Sequence, residues 1–356
     1  MRPGSISWRP RGSWASPRDG NLVSPVRCAL IGVGMMGSEH AEILGASPAA
    51  ELLVWCDVDE GVRGRVPGGT AFTTSLDEAL DTPGLEAVFI ATPQAHHLAA
   101  VRAAVERGLA VFCEKPIADT LEAADEIARL AGQASRPVVF GHMYRFDPRY
   151  RAIHEAVAGG RLGRLVHLSS RGFTPDYEGR LLAGRTSLAV ENAVHGFDLL
   201  RWLAGDIERV YGEASRTGVA GEGLQDAIAV TLRFASGAVG TLETDWAMPT
   251  ATGLSSAHHF MAVGSGGVAW IDARDSGVGI LSTTAAPDFP RTLAYRDPGG
   301  VPYGLYRTED EYFLALVRDG REWPVTTAEA RAALAVSLAV DRSIADGRPV
   351  ALAELG

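Results

Sequence analysis

One lysine stands among 356 residues: Lys115, in E-K-P (114–116), while the other 32 of the 33 basic residues are arginines. Arginine serves on a solvated face, but it cannot supply a compact ammonium with a tunable pKa. The same bias leaves only Asn21 and Asn192 as asparagines, so the surviving lysine is expected where its chemistry is required. A second group, Glu191, His195 and Asp198, is spaced i, i+4 and i+7, which places all three on one helix face. Val194, Phe197 and Leu200 fall together on another face, so the acid–histidine–acid stripe is expected to line a cleft; the plainer alternative is a surface helix with His195 paired to Glu191. The third group is Gly32-Val33-Gly34-Met35-Met36-Gly37, a G-x-G-x-x-G run, with Asp57 20 residues beyond Gly37. Glycines in that pattern bring backbone amides to a pyrophosphate at a helix N-terminus. An acid at that spacing accepts from ribose hydroxyls and repels a 2′-phosphate. The expected cofactor is therefore NAD, held by Gly32, Gly34, Met35, Met36, Gly37 and Asp57.

These groups need elements to position them. Apolar runs at 28–33, 51–57, 86–91, 109–113 and 138–141 read as strands, and 37–46, 95–107 and 119–133 as helices. Short buried strands alternating with helices indicate a parallel sheet covered on both faces. The turns holding Thr92-Pro93 and Glu114-Lys115-Pro116 then leave the carboxyl ends of strands, where open α/β sheets bind ligands, and Lys115 is expected beside the nicotinamide. After Tyr144 the texture changes to helices at about 148–159 and 190–204, strands at 208–216, 226–235, 238–246 and 259–264, and helices at 309–319 and 327–346. The fold class is α/β: a Rossmann domain over 27–143, then an α+β domain over 144–356 with an open, mainly antiparallel sheet for substrate binding and oligomerisation. Residues 1–26, rich in Arg, Trp and Pro, read as a disordered tail or a misassigned start, with a basic interaction arm as the alternative.

Composition narrows the function. A net charge of −10 argues against a nucleic-acid or anionic-membrane surface, and 46% hydrophobic with 21% charged residues is ordinary for a soluble domain. No apolar run is long enough to span a bilayer. Cys28, Cys56 and Cys113 are too scattered for a disulfide framework, and His96-His97 and His258-His259 lack a second ligand pair at zinc-like spacing, so no metal is expected. The expectation is a cytoplasmic protein acting on a small molecule, without nucleic acid or membrane. An open sheet face suggests a homodimer or homotetramer.

The sequence resembles the Gfo/Idh/MocA oxidoreductases across about residues 27–350. The resemblance rests on G-V-G-M-M-G (32–37), T-P-Q-A-H-H (92–97), E-K-P (114–116), Y-R-F-D-P (144–148) and E-N-A-V-H-G-F-D (191–198). The Y-R-F-D-P block and the H-G-F-D spacing look most like inositol dehydrogenases. The resemblance implies NAD(P)-dependent oxidation of a sugar or cyclitol hydroxyl, with Lys115 as the family's lysine and His195 as its acid–base histidine. It implies Thr92, Pro93, His97 and Glu114 beside the cofactor. Glu191 stands where the family commonly has aspartate, and Gln94 where asparagine is usual. The stretch from Trp246 to Phe260 departs from the inositol enzymes and is expected to supply substrate contacts.

The implied mechanism has His195 taking the hydroxyl proton, Glu191 orienting its ring, and Lys115 donating to the reacting oxygen. Arg145 and Asp198 are expected to bind neighbouring hydroxyls; the alternatives are an ion pair at the domain junction for Arg145 and a helix-face hydrogen bond for Asp198. Asn192 either binds substrate or caps the helix start. Two competing functions share these motifs: a glycoside-cleaving enzyme with retained NAD, and a non-catalytic dinucleotide sensor.

Overall fold

The structure, a computed structural model, describes residues 24–182, 184–252, 257–274, 295–296 and 302–355. The expected tail lies outside these residues except for its last three, and Val26 already belongs to the first strand. That strand, β1 (Val26–Ile31), leads into α1 (Met35–Ala46), β2 (Ala50–Cys56), β3 (Ala71–Thr73), α2 (Leu76–Leu80), β4 (Ala87–Ile90), α3 (His97–Glu106), β5 (Ala110–Cys113), α4 (Leu121–Gln133) and β6 (Val138–Phe140). All six strands are parallel, in the order β3-β2-β1-β4-β5-β6. The order reverses between β1 and β4, and a ligand crevice opens at the carboxyl ends of strands flanking such a reversal. Every residue of β4 and β5 is buried, as their unbroken apolar runs require of strands covered on both faces.

The second unit begins with α5 (Pro148–Ala158), β7 (Leu165–Pro175) and α6 (Asp176–Leu182). It continues through α7 (Val194–Ala204), β8 (Ile207–Ser215), β9 (Ala227–Phe234), β10 (Val239–Met248), β11 (Ala257–Gly264) and β12 (Gly267–Arg274). A short pair, β13 (Tyr295–Arg296) and β14 (Pro302–Tyr303), precedes α8 (Leu305–Asp319), α9 (Thr327–Asp346) and β15 (Val350–Ala351). Seven strands form one sheet, β12-β11-β7-β10-β9-β8-β15; β7 and β10 run parallel and the remaining pairs antiparallel. One face is buried under α7 and α9 around Phe197, Leu200, Phe234 and Phe260. Glycine at position 196 lets α7 lie close on the sheet, because a Cβ there would collide with Leu242 Cδ1.

The expected division at 143/144 assigns the C-terminal helices wholly to the second unit, whereas packing gives them to both. Phe313, Leu314 and Leu316 of α8 join Phe89 and Phe112 on one face of the parallel sheet. Ala330 and Leu334 of α9 join Val88 and Ile90 on the other, while Val336 and Val340 reach the second core. At 1.5 Å per residue, a 20-residue helix is about 30 Å long, enough to touch both. Its start is fixed by a capping box between Thr326 and Glu329.

Candidate active site

The glycine turn joins β1 to α1. Gly32 adopts φ +84°, and a Cβ there would meet the Ala91–Thr92 backbone at 2.8 Å. Gly37 passes so close to the Gly32 carbonyl that any larger residue would collide with it. Gly34 differs: a Cβ there would meet no atom of the described residues within 4 Å, so the turn presents open space at the α1 N-terminus. No side chain caps that end, and helix N-termini carry unpaired N–H donors and favour anions. Met35, at the first helical position, is exposed. Asp57 closes the side of the turn, accepting from Val33 N–H (2.7 Å) and Asp59 N–H (2.9 Å). These residues fit the pyrophosphate and ribose of a dinucleotide.

The turns after β4 and β5 meet below this crevice. His97 is fully buried, with Nδ1 3.0 Å from the Pro116 carbonyl and Nε2 2.9 Å from the Thr92 carbonyl. The ring therefore braces the two turns against each other, and neither nitrogen is free to approach a cofactor as the resemblance implies. Thr92 is the better candidate, because its buried Oγ1 has no partner among the described residues, while Pro93 is exposed at the turn. Glu114 is buried; Oε2 accepts from Lys115 N–H (3.0 Å) and Oε1 lies 3.1 Å from His40 Nε2.

Lys115 reaches from this loop into the second unit. Nζ donates to the Glu191 carbonyl (3.0 Å) and to the Glu191 carboxylate. Burial pulls the ammonium pKa down, but the charges of Glu191, Glu114 and Glu178 outweigh it and the net shift is upward. Glu191 therefore serves Lys115, not the His195 ring as expected. The cause is local winding: residues Ala189–Ala193 form a turn of π-helix before α7, so Glu191 and His195 do not hold the α-helical i, i+4 relation. The turn is anchored where Ser187 Oγ accepts from Val190 N–H and the Gln225 side chain from Leu188 N–H.

His195 opens onto a small, partly open pocket lined also by Tyr144, Ser170, Asn192, Thr244 and His258. Its Nδ1 is buried without a partner among the described residues. Burial, then the charge of Lys115, then His142 and His258, hold its pKa well below the ordinary value, so the imidazole is neutral at neutral pH. Tyr144 stacks edge-on against His195 (5.3 Å) and His258 (4.9 Å), its hydroxyl 2.5 Å from His258 Nε2. Burial and the nearby Arg149 push His258 down to about 4. Asn192 Nδ2 donates to Thr174 Oγ1 (3.0 Å), which places Asn192 in the pocket wall rather than at a helix cap. Thr244, whose Oγ1 has no partner among the described residues, lines the same pocket.

Arg145 and Asp198 face each other instead of the pocket. Both are buried, Nε and Nη2 donate to the two Asp198 oxygens at 2.9 and 2.7 Å, and Nη1 donates to the Pro324 carbonyl and to Glu329. They form the ion pair at the junction, closed to substrate. Sequence reasoning missed Tyr144, which adjoins Arg145 in Y-R-F-D-P; it named His258 singly only as a metal ligand and otherwise covered it within the Trp246–Phe260 stretch expected to touch substrate. Strand alternation was the available signal, since it sends His258 and His259 to opposite faces of β11. Of the Trp246–Phe260 stretch, residues 253–256 lie outside the described residues.

Residues 26–142 match the GFO/IDH/MocA oxidoreductase family's NAD-binding Rossmann fold, and residues 150–269 match its C-terminal domain. The chain belongs to the GFO/IDH/MocA family. A GFO/IDH/MocA relative in Bacillus subtilis, scyllo-inositol 2-dehydrogenase (NAD(+)), is 28% identical over 344 residues, covering 92% of this chain and 96% of its own. Inositol 2-dehydrogenase 4 of Saccharopolyspora erythraea is 31% identical over 281 residues, 74% of this chain and 80% of its own. Among solved structures, GenD2 from gentamicin A biosynthesis in complex with NAD superposes with a TM-score of 0.79, at 27% identity over 95% of this chain and 99% of its own. The family's first domain binds NAD, as the glycine turn and Asp57 lead one to expect.

Proposed function

We propose that this protein is an NAD-dependent dehydrogenase that oxidises a secondary ring hydroxyl of a cyclitol, or reduces the corresponding ketone. The observation that carries the reading is the meeting of Lys115, from the cofactor domain, with the Glu191–His195 turn, from the pocket domain. The full-length similarity to a scyllo-inositol 2-dehydrogenase supports the substrate class.

NAD, when bound, supplies the hydride acceptor. His195, neutral and with Nδ1 unpartnered, accepts the hydroxyl proton. The Lys115 ammonium donates to the reacting oxygen and stabilises the negative charge that develops there. Glu191 keeps Lys115 protonated and holds its Nζ in place. Asn192, Thr244 and the Tyr144–His258 pair offer hydrogen bonds to the remaining hydroxyls. Residues 27–143 would thus carry the cofactor and 144–356 the substrate, with α8 and the start of α9 locking the two together.

The second sheet's face away from α7 and α9 carries Trp270 (65% exposed), Val268, Met261 and Val239. Across it Trp270 pairs with Met261, and Val263 with Val268. We assign this apolar surface to contact with a second copy, giving a homodimer or homotetramer. No described helix is long and apolar enough to cross a membrane. A cytoplasmic enzyme acting on a small polyol, without nucleic acid or membrane, accords with the −10 net charge.

The test is NADH formation across inositols, sugars and aminocyclitols, comparing wild type with Lys115→Arg. Turnover on one member is expected, with kcat reduced ~10²–10³-fold in the variant and NAD binding kept. No turnover on any member would overturn the reading.

A further inference from the structure

One buried polar cluster has no part in the scheme above. His40, on α1, is completely buried against the rings of Phe89 and Phe112. Its Nδ1 lies 2.9 Å from both oxygens of Asp310 on α8, and its Nε2 lies 3.1 Å from Glu114 Oε1. Ionised carboxylates only accept, so a ring held between two of them donates from both nitrogens. Burial works against the charge, but Asp310 and Glu114 outweigh it and raise the His40 pKa well above its ordinary value. Of the other titratable groups nearby, burial raises the carboxyl of Glu309 on α8 well above its ordinary range. It also pushes up the thiols of Cys28 on β1, which senses Asp310, and Cys113 on β5, which senses Glu114.

The cluster does not end in the core. The second Glu114 oxygen accepts from the backbone N–H of Lys115, whose ammonium reaches Glu191. A continuous line of hydrogen bonds therefore runs from α8 through His40 and Glu114 to the chain's single lysine. A packing brace needs no such ending.

We propose that His40 is a positioning residue: through Nε2–H it fixes the Glu114 carboxylate that fastens the Lys115 backbone, and so sets where the Lys115 ammonium meets the second domain. The proposal rests on the reading of Lys115 as the donor to the reacting oxygen. Its two arms are separable by substitution. Asparagine puts its amide nitrogen near the Nδ1 position, so His40→Asn keeps the Asp310 arm and releases Glu114. Glutamine reaches the Nε2 position, so His40→Gln keeps the Glu114 arm and releases Asp310. Each loses one arm, so a merely structural His40 would affect both alike.

Because Lys115 is the chain's only lysine, full-length protein made with lysine 13C-labelled at Cε gives one lysine resonance. The groups that set its titration are Glu191, Glu114 and Glu178, with His195 and His142 sensing its charge. In His40→Gln the resonance and its titration should stay with wild type. In His40→Asn the resonance should move and its midpoint fall, because the freed, buried Glu114 takes up a proton and withdraws its support. There kcat should drop about tenfold or more, with the Kd for NAD little changed. Equal loss of kcat in both variants, following their melting temperatures with the resonance unmoved, would overturn the proposal. Should either variant fail to fold, the wild-type His40 ring decides: its 15N shifts at neutral pH should be those of an imidazole protonated at both nitrogens, and a ring bare at Nε2 sinks the proposal. Absence of wild-type turnover on any polyol would count against the cyclitol reading instead, and the resonance would still decide this one.

Discussion

Replacing Glu191 by glutamine separates the two partners this acid could serve. The amide oxygen can still accept from Lys115 Nζ, so the main change is removal of one negative charge beside an ammonium whose side chain is 12% exposed. Two unit charges about 4 Å apart attract by about 4 kcal/mol at an effective dielectric of 20, equivalent to about 3 pKa units at 1.36 kcal/mol per unit. Glu114 and Glu178 remain and solvent screens part of the pair, so the expected fall in the Lys115 pKa is about 1–2 units. The sign follows from the roles. Lys115 must be protonated to donate, so kcat/KM is lost as pH rises through its pKa, and the alkaline limb should move to lower pH. The acid limb belongs to His195, whose pKa is set by burial, Lys115, His142 and His258 without Glu191, and it should stay close to its wild-type position. The assay is kcat/KM against pH at saturating NAD for wild type and Glu191→Gln. An acid limb that moves while the alkaline limb stays would return Glu191 to His195 and refute the reasoning.

Two further substitutions test the frame around the site. Asp57→Ala removes the charge beside the glycine turn along with the acceptor for Val33 N–H; the ratio of kcat/KM with NAD to that with NADP should fall at least tenfold, measured with one polyol and both cofactors. Arg145→Met leaves Asp198 buried without its guanidinium, and breaking a buried pair from one side costs about 3–5 kcal/mol; thermal unfolding should show a fall of several degrees, and an unchanged Tm would remove the pair from the domain junction.

The cofactor half of the site was legible because its demands act locally. Gly32, Gly37 and Asp57 answer to one turn and one strand end, and strands such as Ala87–Ile90 are buried on both faces and so read as unbroken apolar runs. The substrate half depends on contacts between distant segments. β7 (Leu165–Pro175), an interior strand of the second sheet, escaped notice because small polar residues such as Ser169 and Ser170 break its apolar alternation; α7 passes close there, a Cβ on Gly196 standing 3.3 Å from Ser170 Oγ. The π-turn at Ala189–Ala193 was equally hidden, since helical spacing assumes 3.6 residues per turn, and it redirected Glu191 from His195 to Lys115. His40 gave no periodic signal: its partners lie 74 and 270 residues away.

In the proposed reaction the chemistry is divided between two units, and that division explains why so many buried charges lie near their seam. Lys115 comes from the end of β5, while Glu191, His195 and the pocket come from the second unit. The reacting group is therefore complete only while the units hold one relative placement, and apolar contact alone tolerates sliding. Directional pairs remove that freedom. Arg145 forks onto Asp198 and reaches Glu329 at the start of α9, and His40 on α1 joins Asp310 on α8. Both α8 and α9 follow β12 of the second sheet in the chain yet pack against the first. Such pairs are weak contributors to stability when weighed against apolar replacements, because desolvation consumes much of their attraction. What they supply is register, and the Lys115–Glu191 contact at the seam is where that register becomes chemistry.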